Sequence, residues 1–152
     1  MKRDTRLSGM LHLLLHMADA KTPSTSEELA RYMDTNAVVV RRTMAGLREA
    51  GIVVSEKGHG GGWRLARDLA DITLAQVHAA IGRPSLFAFG NRNDQPECLV
   101  EQAVNTALDD TLAQAEALIS ARLAGITLKD IAEDFRQRMA ERGCAATGER
   151  HV

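Results

Sequence analysis

The chain has 152 residues, 45% hydrophobic and 26% charged, enough to bury one substantial core or a smaller core with a dimerisation arm. Aromatic residues make up only 3%, which argues against stacking platforms for single-stranded nucleic acid, and two cysteines are too few for a disulfide scaffold. The net charge of -1 hides an asymmetry: residues 1–68 carry 11 basic and 8 acidic side chains and residues 69–152 carry 8 and 12, so positive potential lies in front. A modest basic bias is by itself weak evidence for phosphate contact, because a solvated helical face produces it as well.

Met1 to Arg6 is a charged start with no signal-type apolar stretch behind it, and no later run approaches a bilayer span, so a cytoplasmic chain without a membrane segment is expected. Leu7, Met10, Leu11, Leu14, Leu15 and Ala18 recur with the period of an amphipathic helix, which Lys21-Thr22-Pro23 stops. Thr25 precedes Glu28 by three, a capping-box pattern opening a short second helix with Leu29, Ala30 and Met33. Asp34-Thr35-Asn36 is a turn ending in an N-cap. Val40, Met44 and Leu47 then mark the buried side of a third helix, ended by Gly51. Two short helices separated by a few polar residues form a helix-turn-helix.

Ile52 to Ser55 is predicted as a strand, Gly58 to Gly62 as a flexible turn and Trp63 to Ala66 as the returning strand, a β-hairpin wing with Trp63 and Leu65 on its inner side. Ile72-Thr73 opens a fourth helix through Ala80. Residues 82–97, containing Pro84, Gly90 and Pro96, form a loop. From Cys98 to Leu123 there is no Gly or Pro, and Val104, Leu108, Leu112, Ala115 and Ile119 step along one face of a helix of about 39 Å. That stripe asks for a partner helix or for cover from its own chain. A last helix spans Leu128 to Arg142, and residues 143–152 form a tail. The predicted fold is mainly α with a small β-hairpin: a winged helix-turn-helix over 1–82, a loop over 83–97, a helical dimerisation region over 98–142 and the tail.

A recognition helix enters the major groove with its N-terminal half. Thr35 and Asn36 stand there to hydrogen-bond phosphate or base edges, Val38 and Val39 to meet thymine methyls, and Arg41 and Arg42 to read guanine or clamp phosphate. Lys57, His59 and Arg64 of the wing would flank them, with the glycine tip allowing close backbone approach. That tip is not a phosphate loop, because the turn runs into a strand and not into a helix. His12 and His16 have a metal-compatible spacing, yet the carboxylate of a His-Glu-x-x-His hydrolase is missing, so no enzyme is expected and the metal reading yields to surface histidines. The competing reading is a winged-helix interaction module without DNA.

Five segments, Ser26-Glu27-Glu28-Leu29-Ala30, Thr35-Asn36 with Val38-Val39-Val40-Arg41-Arg42, Leu47-Arg48-Glu49-Ala50-Gly51-Ile52-Val53, Gly60-Gly61-Gly62-Trp63-Arg64-Leu65-Ala66-Arg67, and Ile72-Thr73-Leu74 with Val77, stand out as motifs. Together they resemble the Rrf-two (Rrf2) family of winged-helix regulators. The wing ending in Leu65-Ala66-Arg67 and followed by Ile72-Thr73-Leu74 is the most specific. The resemblance implies a cytoplasmic homodimer held by the long helix, usually a repressor, on a roughly palindromic operator in double-stranded DNA. The double-Arg helix looks like the family's cluster-free subgroup. Members that sense through an iron-sulfur cluster use three cysteines between the fourth helix and the dimerisation helix. Here Cys98 stands alone, with His59 and His78 outside that loop, so no cofactor is expected. Cys98 in the first turn of a helix also suits redox sensing, because the helix dipole favours a thiolate, while Glu97 and Glu101 oppose it. An inert cysteine is the other reading, and Cys144 counts only if it reaches Cys98.

Overall fold

The computed structural model describes residues 4–87 and 89–142. The expected tail over 143–152, with Cys144, lies outside them. The elements in order are α1 (Arg6–Asp19), α2 (Ser26–Tyr32), α3 (Ala37–Glu49), β1 (Val53–Glu56), β2 (Gly62–Leu65), a 3-10 turn (Leu69–Asp71), α4 (Leu74–Ala80), α5 (Leu99–Ala124) and α6 (Leu128–Glu141). This is the mainly helical, single-hairpin architecture read from the sequence.

Each early helix buries the stripe its spacing defines: Met10, Leu13, Leu14 and Met17 from α1, Leu29 and Ala30 from α2, and Val40, Met44 and Leu47 from α3. The helix ends are set by local chemistry. The Thr25 hydroxyl accepts from the Glu28 amide at 3.2 Å and the Glu28 carboxylate accepts from the Thr25 amide at 2.7 Å, a reciprocal cap for α2. The bond from the Thr25 amide to the carboxylate favours the ionised form and holds the Glu28 carboxyl below its ordinary pKa. At the far end of α3, Gly51 adopts a φ of +69° and the Ile52 amide turns back to the Leu47 carbonyl at 2.9 Å. Ile52 therefore closes the helix with its N–H, and β1 starts one residue later than the hydropathy pattern suggests.

The strands pair antiparallel, Val53 opposite Leu65 and Glu56 opposite Gly62. The hairpin is fastened to the α1–α2 connection. Ser24 and Trp63 exchange backbone hydrogen bonds of 2.9 and 2.8 Å, and the Trp63 indole donates to the Ser26 hydroxyl at 3.0 Å. Trp63 is thus a packing and anchoring residue, as expected. A Cβ on Gly62 would stand 2.6 Å from the Ser24 carbonyl oxygen, and one on Gly61 would stand 2.3 Å from that of Glu56. Close backbone approach inside the wing therefore already requires these two glycines, apart from any contact they make outside it.

After α4 the chain changes character. Three side-chain amides lay the 89–97 segment along α5: Asn105 and Gln102 donate to the carbonyls of Asn93 (2.7 Å) and Pro96 (3.0 Å), and Asn91 donates to Asp109 (2.9 Å). Helix α6 then returns to the winged domain. The Leu74 amide bonds to the Ile126 carbonyl at 3.0 Å and the Leu128 amide to that of Ile72 at 2.9 Å, which seats Leu128 in the same core as α1 and α3. A capping box of Thr127 and Asp130 opens α6, and Asp68 caps the 3-10 turn. The sequence reading passed over both, although Thr127 and Asp130 have the same three-residue spacing as Thr25 and Glu28.

Candidate nucleic-acid interface

The surface of the helix-turn-helix follows from the way α3 is seated. With Val40, Met44 and Leu47 fully buried on one side of α3, the other side of its N-terminal half faces outward and carries Val38, Val39, Arg41 and Arg42. Val38 is 71% exposed. Thr35 and Asn36 are also exposed, just ahead of the helix. The Asn36 side-chain oxygen caps α3 by accepting from the amides of Val38 and Val39, both at 3.0 Å. Only its amide N–H groups remain for an outside acceptor.

The two arginines differ in their surroundings. Arg41 donates to the Glu27 carboxylate at 2.5 Å, an ion pair that ties α3 to α2 with both side chains more than half exposed. Arg42 forms no ion pair with any described residue. In the wing, Arg64 is bonded to Glu56 across the hairpin, while Lys57 and His59 are exposed at the tip. The sequence offered no signal for the partner of Arg41, since Glu27 is 14 positions away.

The stripe predicted for dimerisation is divided. Leu108, Leu112, Ala115 and Ile119 are half-buried in the single chain, and Val104 is 50% exposed. Val100 and Val104, one turn apart, and Leu118, fourteen residues beyond Val104, mark a neighbouring strip of α5 that is open, and Leu118 is 74% exposed. The sequence reading took in Val104 but neither Val100 nor Leu118.

Cys98 is the N-cap residue of α5 and is exposed. Its thiol makes no capping hydrogen bond, but the amides of Glu101 and Val100 lie close enough to favour the thiolate and draw its pKa below the ordinary thiol value.

Residues 3–134 match the sequence pattern of the Rrf2 family, described as an iron-dependent transcriptional regulator. The chain belongs to the Rrf2 family. This Rrf2 chain is 35% identical over 129 residues to YwnA of Bacillus subtilis (strain 168), whose name assigns it as an HTH-type transcriptional regulator; the match covers 84% of this chain and 95% of YwnA. It is similar to a crystal structure named as a DNA-binding protein, with TM-score 0.64 and 33% identity over 83% of this chain and 97% of that one. The structure of T. potens IscR, with TM-score 0.58 and 24% identity over 97% and 94% of the two chains, shares the fold. The protein is therefore a winged helix-turn-helix transcriptional regulator of the Rrf2 family and not an enzyme, in agreement with the sequence reading.

The family's iron dependence can be tested against the donors present. Among the described residues no three His, Cys, Asp or Glu side chains converge on one point, and Cys98 is the single cysteine. That donor set does not fit an iron-sulfur cluster held by these residues of one chain. No helix among the described residues is long and apolar enough to cross a membrane.

Proposed function

We propose that this regulator binds duplex DNA as a homodimer, with the N-terminal half of α3 in the major groove and the wing against the flanking backbone. The observation that carries the reading is the outward strip Val38, Val39, Arg41 and Arg42, set on a helix whose opposite side is fully buried. In this reading Val38 and Val39 meet thymine methyls, Arg42 reads a guanine edge, and Thr35 and Asn36 donate to phosphate. Arg41 leaves Glu27 for the duplex at low cost, because an exposed ion pair is worth no more than about 1 kcal/mol. Lys57, His59 and Arg64 supply the wing's contacts.

Residues 1–82 form the DNA-reading unit, and α5 of the 98–142 region joins two copies so that two recognition helices face a roughly palindromic operator. The protein works in the cytoplasm, as a repressor, without a cluster cofactor. Cys98, with its lowered pKa, is the thiol through which oxidation would act.

The test is selection of bound sequences from a random duplex pool by the purified chain, repeated after mild peroxide treatment and followed by a salt titration of the mobility shift. A palindrome whose affinity falls steeply with salt is the expected result, since phosphate contacts release counterions. A palindrome indifferent to peroxide removes the redox element. Absence of any enriched sequence replaces the reading with that of a protein-interaction module.

A further inference from the structure

A second concave site lies away from α3 and the wing, where α4, the segment after it and α5 meet. It encloses about 260 Å³, below the size of clefts that hold drug-like ligands and suited to a small metabolite. Its two sides contribute opposite charges, Arg83 from the segment after α4 and Glu116 from α5. These two form no ion pair with each other or with any described residue. Between them the lining supplies the Ser120 hydroxyl and the apolar side chains of Leu86 and Leu123.

Such a lining discriminates by charge. A simple anion would satisfy Arg83 and be repelled by Glu116, and a simple amine would meet the reverse, whereas a molecule carrying both charges satisfies both at once. The position of Arg83 is also enforced. It has a left-handed φ of +47° directly before Pro84, where both its own Cβ and the following ring favour extended backbone. It is held there by the bond from its amide to the His78 carbonyl at 3.0 Å and by the His78 ring, whose Nε2 donates to the Pro84 carbonyl at 2.9 Å. Strained backbone that is held in place from several sides clusters at ligand sites.

We propose that this cleft binds a small zwitterion of the α-amino-acid type, its carboxylate on Arg83, its ammonium on Glu116 and its side chain against Leu86 and Leu123. Because α4 belongs to the winged domain and α5 joins the two copies, a ligand bridging them fixes the angle between reading unit and dimer arm. It thereby sets the separation of the two recognition helices and acts as the regulator's effector. This last step rests on the dimeric DNA-binding reading above.

The experiment is calorimetric titration of the full chain with each of the common protein amino acids, then with the keto acid and the decarboxylated amine of the best binder. The expected result is binding of at least one amino acid, weakened roughly tenfold or more in R83Q, in E116Q and for both singly charged analogues. Failure of every amino acid to bind, or equal affinity in both variants, overturns the proposal. Mobility shifts on the unliganded chain and variants run in parallel. DNA binding without amino-acid binding overturns the effector site alone, and amino-acid binding without DNA binding keeps the site and overturns the regulatory step.

Discussion

At the scale of single residues, the two arginines of α3 are adjacent in sequence but not equivalent in space. Arg42 is exposed and forms no ion pair with any described residue, so on the proposed reading R42A should weaken operator binding by about 1 to 3 kcal/mol with unchanged thermal stability, as fluorescence anisotropy and calorimetry would show. Unaltered affinity would remove α3 from the interface. Arg41 is shared with Glu27, so E27Q should release it and tighten DNA binding, by no more than about fivefold. His16 gives a prediction in pH. Its ring is partly buried, lies against Tyr32 with centroids 5.0 Å apart, and places Nε2 2.9 Å from that of His12. Burial, and then the charge of His12, lower its pKa, so the folded state resists the proton that the unfolded chain accepts. Stability is fully present above the ordinary histidine pKa of about 6.5 and falls as pH drops through and below it. H16Q should flatten that decline in the melting temperature; an unchanged slope would assign it elsewhere. The outward strip of α3 was legible as residues, because burial of Val40, Met44 and Leu47 dictates what faces out. The pairing of Arg41 was not, since it depends on how α2 crosses α3.

At the scale of elements, the junction of α3 and α4 turns on one glycine. Gly46 faces the end of α4 so closely that a Cβ there would stand 2.3 Å from the Ala80 carbonyl oxygen, which is backbone and cannot rotate away. G46A, normally a helix-stabilising change, should therefore destabilise the fold by roughly 1 to 3 kcal/mol, measured by denaturant unfolding. A neutral or stabilising result would mean that the two helices slide apart freely. Element ends were legible at the side-chain caps Thr25 and Asn36, while the caps at Asp68 and Thr127 were passed over. Ends were also missed where the backbone alone decides, as at Ile52, whose amide closes α3 and so delays the strand.

At the scale of the whole molecule, α5 emerges from the winged domain with one apolar strip half-covered by its own chain and a second strip open. Leu112 lies on the first, and a charge there would disturb the monomer as well as any interface. Leu118 lies on the second, so L118E should yield folded monomers in sedimentation, with operator affinity falling in parallel. Dimers that persist in L118E would place the contact elsewhere.

Local pattern was enough for the helix-turn-helix, the hairpin and the long helix, because hydrophobic period, caps and turn residues act within a few positions of themselves. The family resemblance rested on the same short segments. What only the tertiary structure decided are the relations across long sequence separations. Leu128 joins the core of α1 and α3, Arg41 is tied to Glu27, and Trp63 is docked on Ser24 and Ser26. Arg83 and Glu116 line one cleft. Each depends on the packing angle between elements, which is set by the sum of many side-chain contacts and leaves no periodic trace in the chain.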